Sequence, residues 1–347
     1  METTPLEVDG FEKVVRFRDA ASGLDTIIAV HDATLGPGCG GTRFYPYTDI
    51  DAALEDVTRL AKGMTYKNAL GGIPFGGGKA VIIGDPHTDK TPELFRAYGR
   101  AIEMFGGLYY TAEDSGVSEE DLAYTAEETN FVAGVAGKGR GGNPSPFTAR
   151  GCFIGIKAAV QHKLKTDSLD GLSVCVLGIG AVGMALARHL HEAGARLIVS
   201  DVNRSAIDTA VAELGATAID VDKAHTADVD IFSPCALGGS INHDTLADLK
   251  ATIIAGAANN QLKTPDMDLA LKERGILYAP DYVINAAGVI SVGLEILEDW
   301  SEDAMIARID RIGVSLTSIF DRAAAENRPT GEIADQMARE VISNAKR

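Results

Sequence analysis

The sequence has few cysteines and no long apolar run. Its four cysteines are scattered through 347 residues without a C-x-x-C pair, which predicts reduced thiols rather than a disulfide framework. No segment reaches the roughly 18 consecutive apolar residues of a membrane span. The first ten residues are polar and acidic and lack the apolar core of a signal peptide. We therefore predict a cytoplasmic protein without a membrane partner.

Basic residues are scarce relative to acidic ones. The chain has 32 Lys and Arg against 49 Asp and Glu, a formal net charge of −17. Nucleic acids and anionic membranes require basic patches, so neither partner is expected. Metal-ligand spacing is also absent, because His189 and His191 would point to different sides of a helix. We therefore predict no metal site.

The two halves of the chain follow different patterns. In the second half, short β-branched runs such as residues 172–177 alternate with helical segments, which predicts a Rossmann-type, doubly wound parallel sheet. The first half mixes strand patterns at 11–18 and 24–31 with a helix over about residues 50–68. It predicts a mixed α/β domain, so the fold class is α/β with two domains.

A glycine-rich stretch at 137–145 is typical of a linker. We place a substrate and oligomerisation domain at 1–140 and the Rossmann domain at 141–325. A C-terminal helical segment at 326–347 can pack back on the first domain. Because ligand sites commonly lie at domain interfaces, we expect the active site in a cleft between the two domains.

A dinucleotide-binding loop is predicted where Gly178, Gly180 and Gly183 follow a strand and open a helix. These glycines permit a tight turn, approach of a pyrophosphate and close helix packing. Asp201 lies 23 positions after Gly178 and would accept hydrogen bonds from ribose hydroxyls. NAD is therefore predicted over NADP, although the nearby Arg204 weakens that preference. A glycine-rich turn without a ligand is the purely structural alternative.

Lys67 lies on the apolar face of the predicted helix over 50–68. Val57, Leu60, Met64 and Lys67 follow helical spacing and share one side. A buried ammonium requires an anionic partner, whereas a lysine at a helix end can also extend its charge to solvent. The local pattern leaves both interpretations open.

Lys79 follows three glycines and opens an apolar strand. Glycines beside a lysine allow another molecule to approach closely. The spacing of a phosphate-binding loop is absent, and a strand rather than a helix follows. A buried lysine near a second cation such as Lys67 releases its proton readily, so Lys79 suits a general base or a Schiff base. A pyridoxal enzyme therefore remains an alternative at this point.

Asp114 follows a predicted strand at 108–111 and precedes a glycine turn. Acids at strand ends are commonly structural caps. Beside a lysine base, however, such a carboxylate can relay protons.

Taken together, these segments resemble the glutamate/leucine/phenylalanine/valine dehydrogenases, over nearly the whole chain. The motifs that carry the resemblance are 35–43 (LGPGCGGTR), 63–67 (GMTYK), 76–79 (GGGK), 112–114 (AED), 143–148 (NPSPFT), 234–239 (PCALGG), 255–261 (AGAANNQ) and 278–285 (YAPDYVIN).

The resemblance implies roles for the residues above. Lys67, with the backbone of Gly40 and Gly41, would bind the substrate carboxylate. Lys79 would activate the water that attacks an imine, and Asp114 would exchange protons with the amine, the water and the leaving ammonia. Thr148 would contact the nicotinamide carboxamide. The remaining implied contacts are Ala181, Val182, Ala236, Asn259 and Asn285 for the cofactor and Asn260 for the substrate.

The side-chain pocket implied by the resemblance consists of Cys39, Ala112, Val289 and Val292. Glutamate-specific members place a lysine where this chain has Cys39, so a glutamate substrate is disfavoured. Residues 41–47 look most like the valine-type members, and we place the chain closest to the leucine/valine branch. The small thiol also leaves room for a phenylalanine or tryptophan substrate.

We therefore predict NAD-dependent oxidative deamination of a nonpolar L-amino acid by a homo-oligomer. Phenylalanine or tryptophan dehydrogenase activity is the alternative within the same family. A non-catalytic dinucleotide-binding regulator is the alternative from another class, and it has no need of Lys67, Lys79 and Asp114 together.

Overall fold

The computed structural model describes residues 1–135 and 144–346, which fall into two compact units. The described residues of the first unit are 1–135, 289–304 and 338–346, and those of the second are 144–288 and 305–337. The predicted domain boundary between residues 140 and 141 lies outside the described residues, so the predicted domain limits stay predictions. The units are not continuous in sequence, because the C-terminal third contributes to both.

The first unit is built on a mixed sheet. Its strands are β1 (Glu2–Pro5), β2 (Lys13–Asp19), β3 (Leu24–Asp32), β4 (Gly38–Cys39), β5 (Thr42–Tyr45), β6 (Gly76–Ile83) and β7 (Tyr109–Tyr110). The order is β1-β2-β3-β6-β4-β7, and β5 pairs with β6 beyond the end of β4. The pairs among β1, β2, β3 and β6 are antiparallel, whereas β4, β5 and β7 run parallel to their neighbours. The predicted mixed α/β architecture is confirmed.

Helices cover both faces of this sheet. They are α1 (Ile50–Leu70), α2 (Pro92–Glu103) and α3 (Glu119–Ala126). Alternate residues of a strand point to opposite faces. Val81 of β6 packs with residues of α1, whereas Ala80 and Ile82 pack in the separate core that contains α2. Lys79, two residues before Val81, therefore points to the α1 face.

The second unit contains a parallel sheet. Its strands are β8 (Ser173–Leu177), β9 (Arg196–Ser200), β10 (Thr217–Ala218), β11 (Ile231–Pro234), β12 (Ile253–Ile254) and β13 (Leu277–Tyr278). Their order is β10-β9-β8-β11-β12-β13, and all the pairs are parallel. This is the 3-2-1-4-5-6 order of dinucleotide-binding sheets, so the predicted Rossmann fold is confirmed.

The remaining described helices follow in chain order. They are α4 (Ser145–Leu164), α5 (Ala181–Glu192), α6 (Arg204–Leu214), α7 (His243–Leu246), α8 (Asp266–Glu273), α9 (Asp281–Ile284), α10 (Ala287–Ile296), α11 (Glu302–Glu326) and α12 (Thr330–Ala345), with a 3-10 turn at Val221–Thr226. No described helix is both long and apolar enough to cross a membrane.

An acidic side chain of α8 holds the first turn of α12. Asp268 Oδ2 accepts a hydrogen bond from the backbone N–H of Glu332 at 3.1 Å. Asp268 Oδ1 is buried and has no hydrogen-bond partner among the described residues. Burial, reinforced by Asp335 and Glu332, raises the pKa of Asp268 to about 6, although backbone N–H groups at the start of α12 oppose the shift. The ionised form of Asp268 at neutral pH is therefore destabilising.

Asp268→Asn is expected to raise the Tm by about 1–3 °C at pH 7.5. The folded state binds a proton at Asp268 more tightly than the unfolded chain does, so this group stabilises the protein less as the pH rises from about 4 to 6. The gain from asparagine should therefore shrink as the pH is lowered to 5, as measured by scanning calorimetry. Asp266→Asn, on the same helix, is the control, because hydrogen bonding by Thr264 lowers the pKa of exposed Asp266. An equal gain in both variants would contradict this explanation.

Candidate active site

The strand that runs beside β6 is interrupted at Gly40 and Gly41. β4 ends just before them, and β5 resumes just after them. A Cβ atom on Gly40 would overlap with the backbone oxygen of Gly78, and one on Gly41 would overlap with that of Glu113. Only glycine permits this approach, and it places the Gly40–Gly41 peptide directly beside Gly78 and Lys79.

Lys79 and Asp114 form an ion pair at this interruption. Lys79 is only 6% exposed, and its Nζ lies 2.7 Å from Asp114 Oδ2. Asp114 follows the short strand β7 and reaches Lys79 from the neighbouring edge of the sheet. The structure thus brings together the two residues that the sequence analysis assigned to catalysis, although they are 35 positions apart.

Arg43 is a third member of this charge cluster and was missed by the sequence analysis. Its Nε lies 3.6 Å from Asp114 Oδ2, and its Nη1 donates to Asp56 of α1 at 2.8 Å. Tyr47 donates to the same Asp56 oxygen at 2.6 Å. The alternation of side chains along β5 is the sequence feature that could have revealed Arg43. It turns Arg43 toward the α1 face, while Thr42 points to the other face.

The cations decide the ionisation of Asp114. Burial acts to raise the pKa of its carboxyl group, but the charge and hydrogen bond of Lys79, the charge of Arg43 and the backbone N–H of Ser115 together hold it below the usual value. Asp114 is therefore a carboxylate throughout the neutral range, and it can accept a proton from a neighbouring group.

Lys67 lies in the last turn of α1, which packs on the face of the sheet to which Lys79 points. It is partly buried rather than fully buried. The next residue, Asn68, is fully buried, and its Nδ2 donates to the carbonyl of Cys39 at 3.2 Å and to that of Gly76 at 2.6 Å. These bonds fix the end of α1 against β4 and β6, and they position Lys67 beside the glycine-rich strands.

The residues assigned to the side-chain pocket lie in the first unit. Cys39 is fully buried, and burial raises the pKa of its thiol to about 12 against the opposing charge of Lys79, so the thiol is neutral. Ala112 and Val289 are also buried, and Val292 is half-buried. Val289 and Val292 lie on α10, which packs against the segment that precedes β6, since a Cβ on Gly293 would lie 3.1 Å from the Ile73 side chain.

The glycine loop of the second unit has the geometry of a dinucleotide-binding turn. Gly178 has a φ of +97°, and Gly180 is the N-cap of α5, whose first residues are Ala181 and Val182. A Cβ on Gly183 would overlap with the backbone oxygen of Gly178, which explains the last glycine of the motif. Among the described residues, no atom outside the adjoining backbone lies within 4 Å of a Cβ built on Gly180, so the space on that side of Gly180 is open.

The other residues assigned to the cofactor lie at the carboxyl end of the same sheet. Ala236 follows β11, and its N and Cβ are 2.7 Å from a Cβ built on Gly178. Asn259 and Asn260 follow β12, and Asn285 Nδ2 donates to Asn259 Oδ1 at 2.7 Å. Because parallel strands end at one edge, the sheet brings these residues to the side on which such folds bind ligands.

Thr148 lies in the first turn of α4 and approaches the start of α10. Its Oγ1 is 4.0 Å from a Cβ built on Gly288. Thr148 is partly exposed, so its hydroxyl remains accessible for a ligand.

Asp201 directly follows β9 and borders a pocket that the sequence did not predict. Its two carboxylate oxygens accept backbone N–H bonds from Ile179 at 2.6 Å and Asn203 at 2.7 Å. The adjoining pocket is lined by Val202, which is 91% exposed, and by Ile219 and Asp220 among others. The sequence feature that could have indicated this pocket is the valine that directly follows the acidic residue at the end of the strand. Within the described residues, no group of three or more His, Cys, Asp or Glu could hold a metal ion.

A Rossmann sheet with a complete glycine loop, and an ion pair between a buried lysine and a partly buried carboxylate in the other unit, define a dinucleotide-dependent oxidoreductase. Sequence models of the Glu/Leu/Phe/Val dehydrogenases match the chain in two parts. Residues 12–131 match the family's dimerisation domain, and residues 199–345 match its glutamate/leucine/phenylalanine/valine dehydrogenase domain.

Individual relatives agree with these matches. The leucine dehydrogenase of Bacillus subtilis (strain 168) is 47% identical over 343 residues, which are 99% of this chain and 94% of that protein. The phenylalanine dehydrogenase of Lysinibacillus sphaericus is 43% identical over 97% of this chain and 90% of its own. The crystal structure of L-tryptophan dehydrogenase from Nostoc punctiforme superposes with a TM-score of 0.87 at 42% identity, covering 97% of each chain.

The chain belongs to the glutamate/leucine/phenylalanine/valine dehydrogenase family, and it is an amino-acid dehydrogenase. The predicted family and the predicted enzyme class are confirmed. Members of this family depend on a dinucleotide.

Proposed function

We propose that this enzyme uses NAD to deaminate a nonpolar L-amino acid of the leucine, valine or isoleucine type, reversibly, to its 2-oxo acid and ammonia. The observation that carries the proposal is the buried Lys79–Asp114 pair, 2.7 Å apart, beside the Gly40–Gly41 interruption. It supplies a cation and a proton acceptor side by side, next to the glycine-rich strands.

The described residues fit a dinucleotide with a free 2′-hydroxyl. The open space at Gly180, at the N-terminus of α5, suits a pyrophosphate, whose charge the helix amides stabilise. Asp201 and Asp220 border the adjoining pocket and would repel a 2′-phosphate. Arg204 also lines this pocket, and its Nε lies 3.2 Å from Asp208 in an exposed pair, so it weakens the repulsion by the two aspartates without removing it. These features support NAD over NADP.

The proposed chemistry divides between cofactor and protein. When bound, the cofactor would supply the acceptor for the hydride of the substrate α-carbon. Asp114, as a carboxylate, would take the proton of the substrate ammonium before hydride transfer and release it to solvent. Lys79 would hold the water that adds to the imine carbon, while Asp114 takes a proton from that water and passes it to the nitrogen. The nitrogen then leaves as ammonia as the new hydroxyl group loses its proton to Asp114. Lys67 binds the substrate carboxylate and orients the α-carbon.

The pocket residues support a nonpolar substrate. Because the Cys39 thiol is neutral, it cannot pair with the second carboxylate of glutamate, and a buried unpaired carboxylate would cost several kcal/mol. Ala112 adds no polar atom beyond its backbone. The small side chains of Cys39 and Ala112 also support phenylalanine or tryptophan as the alternative substrate, in keeping with the names of two relatives.

A panel of 2-oxo acids tests the proposal in the direction of reductive amination. With ammonium and NADH, we expect 4-methyl-2-oxopentanoate and 3-methyl-2-oxobutanoate to give a kcat/KM at least about ten-fold above the phenylalanine and tryptophan analogues. 2-Oxoglutarate serves as the charged control and should be turned over poorly. NADPH should support at most about a tenth of the NADH rate. Preferential turnover of an aromatic 2-oxo acid would favour the alternative, and no turnover at all would refute the proposal.

We also infer that the enzyme is a homo-oligomer. Residues 12–131 match a segment that the family model describes as a dimerisation domain. Closed symmetric assemblies are the common form of soluble oligomers.

A further inference from the structure

A chain of buried hydroxyl groups lies beneath the Gly40–Gly41 interruption. Thr42 Oγ1 is hydrogen-bonded to the hydroxyl of Tyr98 and to Thr111 Oγ1, the latter at 2.6 Å. The Tyr109 hydroxyl lies 3.4 Å from Thr111 Oγ1 and donates to the carbonyl oxygen of Gly40 at 2.7 Å. All four side chains are fully buried.

The hydroxyl groups of this chain are all hydrogen-bonded. A buried hydroxyl is costly unless it is hydrogen-bonded, and here every hydroxyl has a partner. Burial raises the pKa of Tyr98 to about 12, and it also raises the pKa of Tyr109 well above its usual value. Both phenols therefore stay protonated, and Tyr109 is a permanent donor to Gly40.

Tyr109 and Lys79 lie on opposite faces of the sheet. A Cβ on Gly78 would lie 2.6 Å from the ring of Tyr109, whereas a Cβ on Gly77 would overlap with Thr65 of α1. Since alternate residues of β6 point to opposite faces, Lys79 shares the α1 face with Gly77. The hydroxyl chain therefore holds the Gly40 carbonyl from the face away from Lys79.

The direction of one carbonyl fixes the direction of the next amide. A trans peptide is planar, so the C=O of Gly40 and the N–H of Gly41 point in opposite directions. With the carbonyl drawn toward Tyr109, the Gly41 N–H is directed toward the Lys79 face. The N–H of Gly40 donates to the carbonyl of Tyr110 at 3.1 Å, and it is therefore occupied within the sheet.

We propose that Tyr109 is a positioning residue that directs the Gly41 N–H toward the carboxylate of the substrate. The inference rests on the proposed function, and it deepens that function in two ways. It assigns carboxylate binding to the amide of Gly41 rather than that of Gly40. It also gives the buried hydroxyl chain a role in substrate affinity. This role can be measured in a variant that lacks one hydroxyl oxygen.

Tyr109→Phe tests the proposal, because phenylalanine keeps the ring that packs against Gly78. Without the hydroxyl, the carbonyl of Gly40 loses its hydrogen bond from Tyr109, and the N–H of Gly41 is no longer held in its direction. We expect the KM for 4-methyl-2-oxopentanoate to rise roughly five- to twenty-fold, while kcat changes less than about three-fold and the KM for NADH is unchanged. The Ki of 4-methylpentanoate, which carries the carboxylate but no reacting group, should rise by the same factor.

Tyr98→Phe is the matched control. It removes a phenol from the same hydroxyl chain, but the Tyr98 hydroxyl contacts Thr42 and Thr111 rather than Gly40. Both variants should lose thermal stability, whereas the Tyr98 variant should change KM and Ki less than about two-fold. Equal changes in both variants, or a wild-type Ki for 4-methylpentanoate in Tyr109→Phe, would overturn the inference. An inactive wild-type enzyme would instead overturn the proposed function.

Discussion

Replacing Lys79 with alanine is expected to lower kcat by about 10³-fold, because general acid–base groups contribute about 10²–10⁴-fold. Lys79 is the buried cation of the site, and its Nζ contacts the carboxylate of Asp114. Without the Lys79 side chain, the attacking water loses the group proposed to hold it beside Asp114. The measurement is steady-state turnover of 4-methyl-2-oxopentanoate with ammonium and NADH.

Binding of NADH should survive this substitution, because the glycine loop belongs to the second unit. Fluorescence titration of NADH is expected to give a Kd within about two-fold of the wild type. Arg43 remains beside Asp114, so the buried carboxylate keeps one cationic neighbour and the fold should be retained. Circular dichroism at the assay temperature verifies that the variant is folded.

A second lysine–aspartate pair provides a matched control. Lys90 is paired with Asp121 in the same unit, at the capping box of α3. Lys90→Ala should lower the Tm and leave kcat near the wild-type value. If Lys79→Ala retains more than about a tenth of the wild-type kcat, or if both variants lose turnover equally, the catalytic role of Lys79 is refuted.

The features that the sequence predicted well depend on contacts between near neighbours. The glycine loop, its strand and its helix occupy one short βαβ unit, and Gly178 and Gly183 meet within six residues. The apolar run after Lys79 likewise predicts the strand that the structure shows there. In these cases local spacing alone determines which backbone atoms come together.

The features that the sequence did not predict depend on distant pairings. Tyr98 meets Thr42 across 56 positions, and nothing in the local pattern of α2 distinguishes its tyrosine from an ordinary core residue. Arg43 meets Asp114 only because β5 resumes beside β6 after the glycine interruption. The sequence leaves a buried and a helix-end interpretation of Lys67 open, and the structure shows a partly buried lysine in the last turn of α1. Periodicity does not describe the end of a helix.

Asp114→Asn is expected to lower kcat by about 10²–10³-fold. Asparagine keeps the shape of the side chain, but it cannot accept the proton that the substrate ammonium must lose. It also leaves the ammonium of Lys79 without the carboxylate at 2.7 Å. Asp56→Asn is the control, because Asp56 holds Arg43 rather than Lys79, and it should lower kcat much less. Equal losses in the two variants would indicate that the charge cluster as a whole, and not Asp114, limits turnover.

The pH profile separates a proton acceptor from a merely structural carboxylate. Lys79 and Arg43 outweigh burial and hold the pKa of Asp114 below its usual value, so lowering the pH from 8 to 6 should not protonate it. Arg43→Gln removes one of the two cations, while burial continues to favour the protonated form, and the pKa of Asp114 must rise. The acid limb of kcat/KM should therefore move to higher pH in Arg43→Gln. An unchanged acid limb would show that protonation of Asp114 does not control the reaction, whatever the loss in Asp114→Asn.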